Sequence, residues 1–390
     1  MERLGEVVIV GGSVAGRACA LALARRGLPV TLVSESGLAT RPGSDLASYR
    51  TWWPSADPSL FPFASRGVDL LEALWEESQG AFEMDRRGDL WLGGDEAELE
   101  SLRLAAGRAA LIGGGPLREH LTPEWYLPSP DRGLTGVPGG LDLIESSQTL
   151  KGVFPALHLR AAGGLHVRRA GGLEVAGFGR WLDRALAAEE VTVVADSVVE
   201  LEPRANAHRI RLGSGDELVA VSVVLAADQR VTAMTRPMAT GGPVGDFVRV
   251  VAQPAVWRPV PPGAPAVHCR HGEQGWIEIR ANFDGCPTLT FTGTIAEAAG
   301  LADPASPILG GIERQWSGAV AGSGFLTTVS RLDLGTAGRP IVGPIGRGLL
   351  ATAGHGGSVT SALAAAEIIA EYLLEGEVPD YGRAVGATID

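Results

Sequence analysis

Gly11, Ser13 and Gly16 stand where an apolar run gives way to an Ala/Leu-rich one, and small residues at this spacing can hold a diphosphate. Gly11 supplies a turn, Ser13 lets the backbone approach a pyrophosphate, and Gly16 permits a helix to pack closely on a sheet. Gly11, Gly12, Ser13, Val14, Ala15 and Gly16 thus form a G-x-G-x-x-G fingerprint with serine at the middle glycine. A helix leaving this turn aims unpaired N–H groups and the positive end of its dipole at the ligand, so an anionic dinucleotide is the natural guest. Glu35 offers a carboxylate to an adenosine ribose from one residue beyond Ser34, which holds the usual place at the end of the second strand. No arginine stands beside Glu35, which argues against a 2′-phosphate.

A βαβ unit must position these residues: a strand over Glu6–Val10, a helix over Arg17–Arg26 and a second strand over Leu28–Val33. Ala15, Cys19 and Ala22 keep one helical face small, Arg25 and Arg26 suit the negative end of the dipole, and Gly27 can take the left-handed cap. A second strand–glycine–helix unit lies near the other end of the chain. Residues 348–353 enter the turn Gly354, His355, Gly356, Gly357, and a helix leaves through Ser358, Val359 and Thr360. Val359, Ala362, Leu363, Ala366, Ala370 and Leu373 form its buried stripe. In one domain, the first turn holds a diphosphate and the second another electron-rich part of the same ligand.

Between these units, helices are expected over 66–79, 96–110 and 178–188, with strands at 87–92, 191–194 and 221–226 and a hairpin over 198–212. Residues 113–140 are rich in glycine and proline, as a lid or insertion would be. Strand-like runs at 247–252, 266–269, 276–280 and 288–292, separated by Pro/Gly turns, suggest an antiparallel sheet with one covered face. The expected fold is α/β: a Rossmann-like nucleotide-binding domain (1–60, 145–240 and 325–390) interrupted by an antiparallel-sheet substrate domain (61–144 and 241–324).

With 390 residues, 45% of them hydrophobic, the chain can bury large cores. A net charge of −12 argues against nucleic acid and anionic membrane as partners. No apolar run is long enough to span a bilayer, and residues 1–10 lack the basic start and cleavage site of a secretory signal, so a soluble, cytoplasmic protein is expected. Cys19, Cys269 and Cys286 are too few and too far apart for a disulfide framework or a thiolate metal site.

These features resemble the flavin-dependent D-amino-acid oxidase superfamily, which includes glycine oxidase and sarcosine oxidase. The resemblance runs through Val8–Val33, through Arg50 and the helix around Leu74 and Trp75, through Arg87-Gly88-Asp89-Leu90, and from Gly338-Arg339-Pro340 into Gly354–Gly357. It implies that the first turn binds the diphosphate of FAD and that the backbone of the second lies against the flavin. It also puts Ser34, Glu35, Arg41, Ser48, Val198 and Ala227 at the cofactor. None of the cysteines falls where covalent members attach the flavin, so FAD is expected to be non-covalent.

The chemistry so implied is oxidation of a C–N bond in a small amine or amino acid: hydride passes from carbon to flavin N5, the imine hydrolyses, and oxygen accepts the electrons to give hydrogen peroxide. In amino-acid-oxidising members an arginine before the G-x-P-x-x-G segment grips the carboxylate. Arg331 is close to that place, as such a ligand or as half of a structural salt bridge. Arg50 corresponds to an arginine beside the flavin in sarcosine-oxidase-like relatives, or is a solvated loop residue. Tyr49, Trp52 and Trp53 wall a substrate pocket or pack. His355 shapes its turn or serves as a base. Ser330-Arg331-Leu332 departs from the family's Leu-Arg-Pro, and Asp228 stands where glycine is common. Two alternatives remain: a flavin monooxygenase or halogenase, whose usual Gly-Asp-Ala is here Ala353-Gly354-His355, and a flavoprotein scaffold with impaired catalysis.

Overall fold

A computed structural model describes residues 4–35, 46–52, 57–111, 113, 115–125, 139–226, 247–254, 264–271, 275–281, 287–294, 325–331, 339–353, 355 and 358–385. An eight-stranded sheet holds β1 (Leu4–Val10), β2 (Val30–Val33), β10 (Thr192–Val194), β11 (Val198–Pro203), β12 (His208–Leu212), β13 (Glu217–Leu225), β19 (Ile341–Gly346) and β20 (Leu349–Ala353). Its parallel centre runs β10-β2-β1-β13-β20. From β1 the chain moves through α1 (Val14–Ala24) to β2 on one side, while β13 lies on the other. The carboxyl ends of β1 and β13 therefore flank a topological switch point, where open α/β sheets bind ligands.

Four helices cover one face of this sheet and share its main core: α1, α2 (Phe61–Glu77), α5 (Val175–Ala188) and α6 (Val359–Glu375). Their ends follow from local chemistry. Ser13 caps α1, Glu174 caps α5 by accepting from the Gly177 N–H at 2.8 Å, and Ser358 caps α6, which stops at a left-handed Gly376. Helix α2 begins at Phe61, earlier than its apolar spacing suggests, because Pro62 is tolerated in a first turn that needs no intrahelical N–H bond.

A nine-stranded sheet runs β18-β14-β17-β16-β15-β5-β8-β7-β6. Its strands are β5 (Asp89–Gly93), β6 (Leu117–Arg118), β7 (Leu141–Ile144), β8 (Gly163–Val167), β14 (Phe247–Pro254), β15 (Ala266–His271), β16 (Gly275–Ala281), β17 (Pro287–Thr294) and β18 (Phe325–Arg331). Helix α3 (Glu96–Leu111) packs Leu99, Leu102 and Ala106 with Trp91, Leu143 and Leu165 of this sheet; a short helix, α4 (Ser147–Val153), lies against β8. By pairing, strands β8 and β18 belong to this sheet although 145–240 and 325–390 were expected in the nucleotide-binding domain, and α2 packs on α6 although 61–144 was expected in the other. Segment 113–140 contains β6 and a short turn of helix at Pro123–Trp125, while 126–138 lies outside the described residues.

A three-stranded sheet, β3 (Leu46–Arg50), β9 (Ala170–Glu174) and β4 (Met84–Asp85) in the order β3-β9-β4, connects the two larger ones. Side chains of a strand alternate between faces. Ala47 and Tyr49 enter the core beneath the helices, whereas Ser48 and Arg50 reach the nine-stranded sheet.

Candidate active site

The first turn has the geometry of a diphosphate cradle. Gly11 has φ 122°, which residues with a side chain rarely adopt, and its N–H donates to the Val33 carbonyl at 2.8 Å. A Cβ on Gly16 would lie 1.9 Å from the Gly11 carbonyl oxygen, so the turn closes only with glycine there. Ser13 does more than replace a small residue: its hydroxyl donates to the Ala226 carbonyl at 2.9 Å and accepts from the Gly16 N–H at 3.4 Å. It thereby fixes the start of α1 against the end of β13. Gly12, Val14 and Ala15 complete the turn and the first turn of α1, whose N–H groups lack intrahelical partners. Ser34 is buried and its N–H donates to the Val194 carbonyl, and Glu35 follows it, exposed, just beyond the end of β2. Val198 starts β11 within the core on the sheet's other face. This backbone cradle, which closes only with glycine at its tight positions, fits the diphosphate of a dinucleotide.

In the second turn, His355 is buried, with Nε2 2.7 Å from the Thr352 hydroxyl and Nδ1 2.9 Å from the Ser361 hydroxyl. Burial pushes its pKa down to about 4. A neutral ring engaged at both nitrogens ties β20 to α6 and shapes the turn. The Ser358 N–H donates to the His355 carbonyl and its hydroxyl accepts from the Ser361 N–H, while Thr360 is buried beside it. Val359 begins the buried stripe of α6. Arg41, Ala227, Gly354, Gly356 and Gly357 lie outside the described residues, as do Trp53 and Asp228.

Burial also lowers the pKa of His166 to about 4. Unfolded histidine titrates near 6.5, so between these values the unfolded chain binds more protons and stability is lost as pH falls. The unfolding free energy should therefore be full above about pH 6.5 and decline steadily toward pH 4. Urea titrations at pH 7 and pH 4.5 check this, and an unchanged midpoint at the lower pH would show that these rings protonate freely in the folded protein.

Where β3 meets the nine-stranded sheet lies an alternating ring of charge. Strand β3, which runs against α6, supplies Arg50. Arg50 Nε is 3.0 Å from Asp89 Oδ2 and its Nη2 donates to Glu278 Oε2 at 2.7 Å. Arg280 repeats the pattern, with Nη2 donating to Asp89 Oδ1 at 2.6 Å and Nε to Glu278 Oε1 at 2.8 Å. The Ser48 hydroxyl also donates to Glu278 Oε1, at 2.7 Å. Each carboxylate bridges both guanidinium groups. Burial alone would raise Asp89, but Arg50 and Arg280 hold it down at about 2; the same two arginines hold Glu278 well below the usual carboxylate range. His268 Nε2 lies 3.3 Å from Asp89 and stacks on Trp91 at 4.0 Å; burial, opposed by Asp89, lowers its pKa. Trp52 and Trp276 meet Trp91 edge-on.

Tyr49 does not join this group. It is 1% exposed, its hydroxyl donates to the Asp85 carbonyl at 2.9 Å, and burial drives its pKa upward, so it packs the core and cannot line a pocket or exchange a proton there. Arg50 is no solvated loop residue. Arg331 ends β18, paired with Val248, in a register where Thr290, Val251 and Thr328 rather than Arg331 are in line with Glu278. Asp89, Glu278, Arg280 and His268 were not singled out from the sequence. For Glu278 and Arg280 the signal was the alternation Trp276-Ile277-Glu278-Ile279-Arg280, which reads as one buried and one solvated face when nothing shows that β3 covers the second.

The chain matches the family model DAO, FAD dependent oxidoreductase, over residues 6–372. No curated protein matches it. Among solved structures it is similar to glycine oxidase from Geobacillus kaustophilus, with TM-score 0.71 and 18% identity, covering 99% of this chain and 98% of that one. It is also similar to L-proline dehydrogenase from P. horikoshii, with TM-score 0.70 and 16% identity over 98% of both chains. Iminodiacetate oxidase from Chelativorans sp. gives TM-score 0.66 and 19% identity, covering 98% of this chain and 100% of that one. With a family match over nearly its whole length and a glycine cradle shaped for a diphosphate at the switch point, this chain belongs to the DAO family of FAD-dependent oxidoreductases.

Proposed function

We propose that this FAD-dependent oxidoreductase oxidises a C–N bond in a small amine or amino acid, with oxygen as electron acceptor, FAD held non-covalently and the cytoplasm as its compartment. The observation that supports this proposal is the glycine cradle at the switch point, together with the ordered polar wall that Ser48 and Arg50 form with Glu278 on the nine-stranded sheet, beside which we place the reaction. Bound FAD supplies the hydride acceptor, so the protein needs no dedicated acid or base to begin the reaction. Its own residues orient the donor carbon and shield it from water. Among the described residues no helix is long and apolar enough to cross a membrane. The solved relatives are named for glycine, L-proline and iminodiacetate, donors in which a carboxylate stands near the nitrogen.

A carboxylate-bearing donor needs a clamp. Arg50 is committed to Asp89 and Glu278, which leaves Arg331, at the end of β18, as the proposed clamp. Arg331→Lys should retain FAD and weaken turnover, since an ammonium cannot reproduce a two-point grip. Arg331→Ala should lose more, on the order of 3 kcal/mol in kcat/KM. A donor lacking the carboxylate should barely respond to either change. Equal kcat/KM for wild type and Arg331→Ala on an amino acid would place the clamp elsewhere, and activity confined to carboxylate-free amines would remove the amino-acid proposal.

A further inference from the structure

The ring of Arg50, Asp89, Arg280 and Glu278 holds two positive and two negative charges, which cancel. Its buried half is sealed: Asp89 is 0% and Arg280 3% exposed. Arg50 differs, with 19% of its side chain open, so it is the arginine of the ring with the most exposure to solvent. Glu278, at 12%, binds Ser48, Arg50 and Arg280 at once. Both its oxygens are occupied, so it is badly placed to receive a substrate ammonium. What it does is fix Arg50 and neutralise it, in line with a row of uncharged positions, Thr290, Val251 and Thr328. A lone guanidinium at this wall would attract any small carboxylate.

We propose that Glu278 is a specificity-determining residue: by closing the ring it keeps Arg50 a fixed hydrogen-bond donor and prevents it from acting as a second anion site that would compete with the proper seat of a substrate carboxylate. This rests on the proposed location of the reaction beside this wall of the nine-stranded sheet, but not on which amine is oxidised. Glu278→Gln leaves the ring with one negative and two positive charges, and Arg50→Gln leaves it with two negative and one positive.

The test is titration of the purified FAD-loaded protein with benzoate, and with uncharged benzamide as the control, followed by calorimetry and by perturbation of the flavin absorbance. Glu278→Gln should bind benzoate about tenfold or more tightly than wild type at low ionic strength, with the gain shrinking as salt is added. Adding Arg50→Gln to that variant should abolish the gain, and benzamide should not distinguish the proteins. The proposal is overturned if Glu278→Gln binds benzoate no better than wild type, if benzamide gains equally because the wall has merely loosened, or if the gain survives loss of Arg50. Should Glu278→Gln fail to fold, Glu278→Asp decides: it keeps the charge but draws the carboxylate one methylene back from Arg50, so tighter benzoate binding than wild type supports the proposal and unchanged binding overturns it. Failure of the wider function has a different signature, since it would leave these affinities as expected while no amine was oxidised.

Discussion

Gly16→Ala should purify without FAD, retaining less than about a tenth of the wild-type flavin after reconstitution. The added methyl would lie 1.9 Å from the Gly11 carbonyl oxygen and 3.0 Å from its carbon, distances that backbone atoms cannot relieve without opening the turn. Opening it also moves Ser13, whose hydroxyl joins the turn to Ala226, so the cradle and its anchor on β13 are lost together. Gly107→Ala in α3 is the matched control: nothing lies within 4 Å of the new Cβ, and alanine in a helix interior should add roughly 0.5–1 kcal/mol of stability while flavin content is unchanged. The ratio of flavin to protein absorbance reads both. Full flavin occupancy in Gly16→Ala would mean that the diphosphate is held elsewhere.

Asp89→Ala should cost about 3–5 kcal/mol of unfolding free energy. The carboxylate is fully buried and bridges Arg50 and Arg280 while lying near His268; without it, two guanidinium groups face each other with only Glu278 between them. The loss arises from leaving buried charge unpaired and not from deleting apolar contact, so Asp89→Asn, close in shape, should also destabilise strongly. Urea unfolding monitored by tryptophan fluorescence suits the site, because Trp91 stacks on His268 beside it. A loss below about 1 kcal/mol, the scale of exposed pairs, would show that water reaches the ring and relieves it.

Much of the frame was legible in the sequence because it depends on local rules. The βαβ unit of β1, α1 and β2 follows from apolar runs bounded by Gly11, Gly16 and Gly27, and α6 follows from a serine cap and a small-residue stripe. Strands β14 to β17 were marked by alternation between Pro/Gly turns. What could not be read was how alternation meets tertiary cover. Tyr49 and Arg50 are neighbours in sequence, yet the pleat sends one into the helical core and the other across to Glu278. The charged face of β16 looks solvated until β3 lies over it, and Asp89 looks like a turn residue until Arg50, Arg280 and His268 converge on it from three other strands. Sheet membership of β8 and β18 was hidden for the same reason, since pairing partners far apart in the chain leave no periodic signal.

The most direct test of C–N oxidation is an anaerobic screen of amines and amino acids against the FAD-loaded protein, watched by bleaching of the flavin absorbance. A nitrogen-bearing donor should bleach it, yield the corresponding carbonyl compound after imine hydrolysis, and release hydrogen peroxide when air is admitted. If no amine or amino acid bleaches the flavin while a reduced nicotinamide does, C–N oxidation is contradicted and the monooxygenase alternative takes its place.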